Sequence, residues 1–227
     1  MIKGLIFDFD GLILDTETTD LQSWQEIYSD YGVTFPVSQW MDALGGSHDL
    51  FDPYSYLVSQ LGQDVDLVEV RAKKSHLDTE LIQEQLPRPG VKDYIEDANK
   101  LDLRLGLASS SERDWVLPHL FRLGLASRFQ SIKCSDDVVH TKPAPDLFHA
   151  VLQELNLQSN QAIAFEDSSN GVLAANRAGI YCVAVPNAVT SQLSLDHADL
   201  RVESLAELPL EDLIQRVQQH LKRETEN

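Results

Sequence analysis

Four places in the chain put reactive groups where an apolar run stops. The first is Leu5-Ile6-Phe7-Asp8-Phe9-Asp10-Gly11, in which two carboxylates spaced i and i+2 close the run and a glycine follows at once. Buried strands exclude carboxylates unless something compensates the charge. Two acids this close also repel each other, so a cation is expected between them. All-oxygen ligation suits a hard dication such as Mg2+. The second place is Ala108-Ser109-Ser110-Ser111, hydroxyls with backbone amides beside a helix start, a setting able to bind phosphate. The third is His140-Thr141-Lys142-Pro143-Ala144-Pro145, where flanking prolines fix a lysine. The fourth is Glu166-Asp167-Ser168-Ser169-Asn170-Gly171, a second acidic pair. Carboxylates at two strand ends, a hydroxyl and an ammonium are the parts that phosphoryl transfer needs.

Such groups must be positioned by regular elements. Leu5–Phe7, Leu103–Ala108, Ser131–Cys134, Ala162–Phe165 and Tyr181–Val185 read as strands. Asp93–Lys100, Asp114–Leu123, Pro145–Leu155, Gly171–Ala178 and Leu210–Leu221 read as helices. Strands alternating with helices predict an α/β fold, a Rossmann-like parallel sheet covered on both faces. Ligands of such sheets bind beyond the carboxyl ends of the strands. Residues 16–85 break the rhythm and read as a helical insertion, with turn signals at Tyr31-Gly32, Gly45-Gly46 and Asp52-Pro53. Pro87-Arg88-Pro89-Gly90 closes it as a stiff connection. The expected division is therefore a core of residues 1–15 and 86–227 around an inserted segment, 16–85. Lys222–Asn227 are expected to fray.

Bulk composition narrows the partners. Acidic residues outnumber basic ones 36 to 18, for a formal charge of -18. Nucleic acid and anionic membranes are repelled by such a surface. A phosphate site in this chain must therefore be locally positive. No stretch is long and apolar enough for a bilayer span, and Asp8 and Asp10 interrupt the only early apolar run, so a cytoplasmic protein is expected. Cys134 and Cys182 show neither metal-ligand nor disulfide spacing and read as structural thiols. A monomer is favoured. The seven histidines show no metal pattern, although His48 stands out. Trp24, Trp40 and Trp115 read as packing anchors. A nucleophilic serine is discounted, because no Gly-x-Ser-x-Gly elbow surrounds Ser109, Ser110 or Ser111.

Taken in order, these motifs resemble the haloacid dehalogenase-like superfamily, and especially its branch of β-phosphoglucomutases and small-molecule phosphatases. The match runs from Asp8-Phe9-Asp10-Gly11 through Leu14-Asp15-Thr16-Glu17, then Ser109, then Lys142-Pro143-Ala144-Pro145-Asp146, then Glu166 to Gly171. It implies that Asp8 is a nucleophile forming an aspartyl-phosphate. Asp10 is implied as general acid and base, with its backbone carbonyl on the metal. The presence of an acid at Asp10 favours phosphate over halide chemistry. Asp167 is implied as a further Mg2+ ligand, with Glu166 as a contact or a support. Ser109, Ser110 and Lys142 are implied to hold the phosphoryl group.

The resemblance also makes residues 16–85 a cap that closes over the site. Its loop Gly45-Gly46-Ser47-His48-Asp49 is expected to point into the cleft, with Gly46, Ser47 and His48 touching substrate. β-Phosphoglucomutases carry a lysine and an arginine there for a second phosphate, where this chain has Gly45 and Asp49. Their cap histidine corresponds to Asp20. A bisphosphate would face Asp20 and Asp49 with little compensating charge. Hydrolysis of a small organic monophosphate with a neutral far end, such as a sugar or polyol phosphate, is therefore expected ahead of mutase activity.

Overall fold

A computed structural model of the chain describes residues 1–44, 51–62 and 65–226. Six parallel strands form one sheet in the order β3-β2-β1-β4-β5-β6. They are β1 (Gly4–Phe7), β2 (Arg104–Ala108), β3 (Ser131–Lys133), β4 (Ala162–Glu166), β5 (Tyr181–Ala184) and β6 (Leu200–Arg201). The first five are those expected; the two-residue β6 was not foreseen. Because β1 lies between β2 and β4, the chain order reverses there, which opens a crevice at the carboxyl ends of these strands.

Both faces of the sheet are buried, which is why the strands read as near-continuous apolar runs. Side chains alternate between faces. Leu5, Phe7, Leu105 and Leu107 pack with α5 (Val91–Lys100), α6 (Arg113–Arg122) and α9 (Leu210–Glu226). Ile6, Ala108, Ala162 and Ala164 face α7 (Asp146–Glu154) and α8 (Ser169–Arg177). Small residues on this second face let the helices approach closely. α9 runs to Glu226.

Between β1 and α5 the chain forms α1 (Thr16–Asp30), α2 (Val37–Leu44), α3 (Pro53–Leu61) and α4 (Leu67–Glu84). These helices have an apolar cluster of their own, built on Trp24, Ile27, Tyr28, Phe35, Trp40 and Leu57. Asp15 caps α1 by accepting from the Thr18 amide. Asp52-Pro53 proves to be a helix start, with Asp52 accepting from the Tyr54 and Ser55 amides. The predicted cleft loop, Gly45 to Asp49 with Gly46, Ser47 and His48, lies outside the described residues.

Arg88 explains the stiff connection. Its guanidinium donates to the carbonyls of Gly11, Val185 (2.9 Å) and Pro186 (2.6 Å), tying the return segment to the ends of β1 and β5. Gly90 takes φ +84° at the start of α5, packed against the Leu205–Ala206 backbone, where a side chain has no room. Arg122 on α6 donates to the carbonyls of Ile82, Gln83 and Gln85, closing the end of α4 against the sheet domain.

Candidate active site

The carboxyl ends of the central strands meet in a cavity of about 1010 Å3. Asp8 follows β1, Ser109 follows β2, Glu166 ends β4 and Asp167 follows it. Lys142 enters from the segment before α7. All five side chains are buried: Lys142 has 5% of its side chain exposed and Glu166 none.

Lys142 is the hub. Its Nζ donates to Asp8 Oδ1 at 2.5 Å and to the Ala108 carbonyl at 2.7 Å. It also forms an ion pair with Glu166 Oε1 at 2.6 Å. Burial disfavours the ammonium, but Asp8 and Glu166 outweigh it and hold the Lys142 pKa above its usual value.

The acids show the opposite balance. Burial raises the Asp8 pKa despite the pull of Lys142. Burial and the Asp8 charge push Glu166 up to about 8. Burial, with Asp8 beside it, likewise lifts Asp167 well above the usual carboxylate range. Ligating oxygens of Asp8, Glu166 and Asp167 lie within 4.8 Å of one another. This buried triad is suited to a metal: all donors are hard oxygens, and its three carboxylates exceed the charge that Lys142 supplies.

Two glycines shape the cluster. A Cβ on Gly11, which has φ +74°, would overlap Asp167 Oδ2. A Cβ on Gly171 would overlap the Glu166 carboxylate. Both motifs end in glycine because an acid lies directly against the backbone there, from the neighbouring strand at Gly11 and from the motif's own strand at Gly171.

Asp10 points elsewhere. Its carboxylate is not in the triad; Oδ1 accepts from Trp115 Nε1 at 2.9 Å, and Oδ2 accepts from Ser111 Oγ at 2.7 Å and Ser109 Oγ at 3.3 Å. Trp115 is therefore more than the packing anchor expected from sequence. The amides of Asp8, Ser109 and Ser111 are bonded to the Phe165 carbonyl, the Lys133 carbonyl and Ser109 Oγ respectively. Ser110 is exposed and faces the cavity.

Sequence reading missed several contributors. Asn187, buried after β5, donates to Asp167 Oδ2 at 2.8 Å and to the Gly11 carbonyl at 3.3 Å. A polar residue just past a strand's carboxyl end was the available signal. Glu17 faces the cavity half-buried, and burial together with Asp20, Asp10, Asp8 and Asp15 pushes it up to about 8. From the inserted helices, Lys74 reaches Asp20 at 2.5 Å and Asp78 at 2.5 Å, and Arg71 lies over the Tyr54 ring at 3.9 Å. Asp20 is thus not the uncompensated charge the sequence suggested. Cys134 and Cys182 are buried and free. No helix among the described residues is long and apolar enough to cross a membrane.

Residues 5–185 match the family model described as haloacid dehalogenase-like hydrolase, and the chain belongs to that family. The Bacillus subtilis (strain 168) protein named "Putative phosphatase YhcW" is 42% identical over 210 residues, 92% of this chain and 95% of its own length. The fructose-1-phosphate phosphatase YqaB of Escherichia coli (strain K12) is 33% identical over 184 residues, 80% of this chain and 95% of its own. The crystal structure of CbbY from Rhodobacter sphaeroides in complex with phosphate superposes with a TM-score of 0.70 at 26% identity, covering 94% of this chain and all of that one. The family and its phosphatase relatives define a phosphoric monoester hydrolase.

Proposed function

We propose that this chain is a Mg2+-dependent phosphatase of small organic monophosphates, with a sugar or polyol phosphate as substrate. The observation that supports it most is the buried cluster in which one ammonium, Lys142, serves Asp8 and Glu166 with Asp167 beside them. In this reading residues 1–15 and 86–227 form the catalytic core and 16–85 the cap. Asp8 attacks phosphorus and takes the phosphoryl group as an aspartyl-phosphate. Lys142 neutralises the oxygens of that group, and Ser109 and Ser110 donate to them. Asp10 protonates the leaving oxygen, then takes a proton from the water that attacks the phosphoenzyme. Asp8, Asp167 and the backbone carbonyl of Asp10 would hold Mg2+, which supplies positive charge opposite the phosphoryl oxygens. Glu166 keeps Lys142 charged and in place.

The inserted helices favour a neutral, hydroxyl-rich far end. Asp20 and Asp78 already claim the Lys74 charge, which leaves carboxylate acceptors facing the cleft. The E. coli relative is named for a sugar phosphate. The test is phosphate release over a panel of phosphorylated metabolites with Mg2+. Sugar and polyol monophosphates should exceed bisphosphates by about tenfold or more, since like charges across an interface are costly. A clear preference for bisphosphates would contradict the assigned substrate. Mutase activity draws support from Arg71, a cation the sequence had not placed in the cleft. An isomerised sugar phosphate in place of released phosphate would favour it. No release from any ester would leave only a binding protein on this fold.

Metal binding has a pH signature. Glu166 carries a folded pKa of about 8 against an ordinary 4.5. A raised acid contributes stability that is full below its unfolded pKa and is lost as pH rises through the folded one. The metal-free protein should therefore lose stability between about pH 4.5 and pH 8, and Mg2+ should restore it most at the upper end. At 100 times its Kd a ligand adds about 2.7 kcal/mol, or roughly 5–10 °C in Tm for a chain of this size. Thermal melts in EDTA and in Mg2+ at pH 5 and pH 8 measure this. An equal Tm with and without Mg2+ at pH 8 would contradict the metal assignment.

A further inference from the structure

We infer that Trp115 is a positioning residue for Asp10, orienting its carboxyl group so that the proton for the leaving oxygen sits on Oδ2. This rests on the phosphatase reading above. An indole N–H can only donate. At 2.9 Å from Asp10 Oδ1 it requires that oxygen to accept, so Oδ1 cannot carry a proton toward the ring. The proton is left to Oδ2, whose neighbours Ser111 Oγ and Ser109 Oγ donate to the carboxylate but, being hydroxyls, can rotate to accept once Oδ2 is protonated. Ser109 is a residue assigned to the phosphoryl group, so Oδ2 is the oxygen on the reacting side.

The donor stands on a fixed base. Trp115 lies in the first turn of α6, and its ring packs edge-on against His119 at 4.5 Å between centroids. His119 in turn stacks on Phe9, the residue between the two carboxylates. Arg113, two residues before Trp115, is held by Asp137 at 2.5 Å and by the Ile132 carbonyl at 3.1 Å. The helix that presents the indole is thus tied to the end of β3. A group held this way has one orientation to offer, which is what a proton donor in a transition state needs.

The test compares two esters of similar shape, phenyl phosphate and p-nitrophenyl phosphate. Phenolate is a basic leaving group that needs a proton, whereas nitrophenolate departs without one. Comparing kcat/KM confines the measurement to steps through phosphoryl transfer to Asp8. In Trp115→Phe, kcat/KM for phenyl phosphate should fall about 10- to 100-fold, as misplacement of a reacting group does, and that for p-nitrophenyl phosphate by less than about threefold. 3-Benzothienylalanine in place of Trp115 keeps the ring and deletes only the N–H. It should give the same split, and it serves if the Phe variant folds poorly. Equal losses on both esters, or no loss on phenyl phosphate, would overturn the assignment while leaving the phosphatase reading intact. Failure of the wild type on both esters and on the sugar and polyol phosphates would overturn both.

Discussion

Replacing Asp8 by asparagine is expected to lower Mg2+-dependent phosphate release by at least about 10^4-fold while leaving the fold intact. Asparagine has the same shape but cannot attack phosphorus. Asp8 lies at the end of the central strand, with its Oδ1 oriented by Lys142 at 2.5 Å. Among the described residues no other carboxylate occupies that place: Glu166 also contacts Lys142, but its oxygens sit against the start of α8 at Gly171. Folding should tolerate the change, because burial already works against a charged Asp8 and Lys142 keeps Glu166 as a partner. Near-UV circular dichroism and Tm close to wild type, with activity lost, are the expected pair of readings. Retained activity in Asp8→Asn would falsify the assigned mechanism.

Lys142→Met should be damaging in two ways. Removing the charge opposite the phosphoryl group is expected to cost about 10^3-fold in kcat/KM. Removing the one ammonium of the cluster also leaves Asp8 and Glu166 buried without their partner. Breaking a buried pair from one side destabilises by about 3–5 kcal/mol. The loss should depend on pH. Glu166 titrates at about 8 even with Lys142 present, so without it the acids should take up protons and the stability deficit should shrink at pH 5. Denaturant melts at pH 5 and pH 8 would show this. A deficit independent of pH would contradict the charge role assigned to Lys142.

Legibility in the sequence followed from how each residue works. The strands could be read because a sheet covered on both faces needs unbroken apolar runs, and Leu5–Phe7 and Ala162–Phe165 supply them. Asp8, Lys142, Glu166 and Asp167 could be read because acids and a framed lysine at strand ends have few other uses. Asn187 and Arg88 were missed because they act from loops, through amide and guanidinium bonds that leave no periodic trace. Lys74 was missed because a lysine on a polar helix reads as a solvated charge until Asp20 and Asp78 are seen around it. Trp115 was read as packing because sequence does not tell which way an indole N–H faces. β6 is two residues long and too short for any pattern.

The central claim is that Asp8 carries the phosphoryl group. Acid quench of the enzyme during turnover of a sugar monophosphate, then borohydride reduction and peptide mass spectrometry, tests it directly. Reduction converts an aspartyl-phosphate to homoserine. Homoserine at position 8, dependent on both substrate and Mg2+ and missing from Asp8→Asn, is the predicted result. Turnover with Asp8 unmodified, or with the label on Ser109 or another residue, would contradict the account.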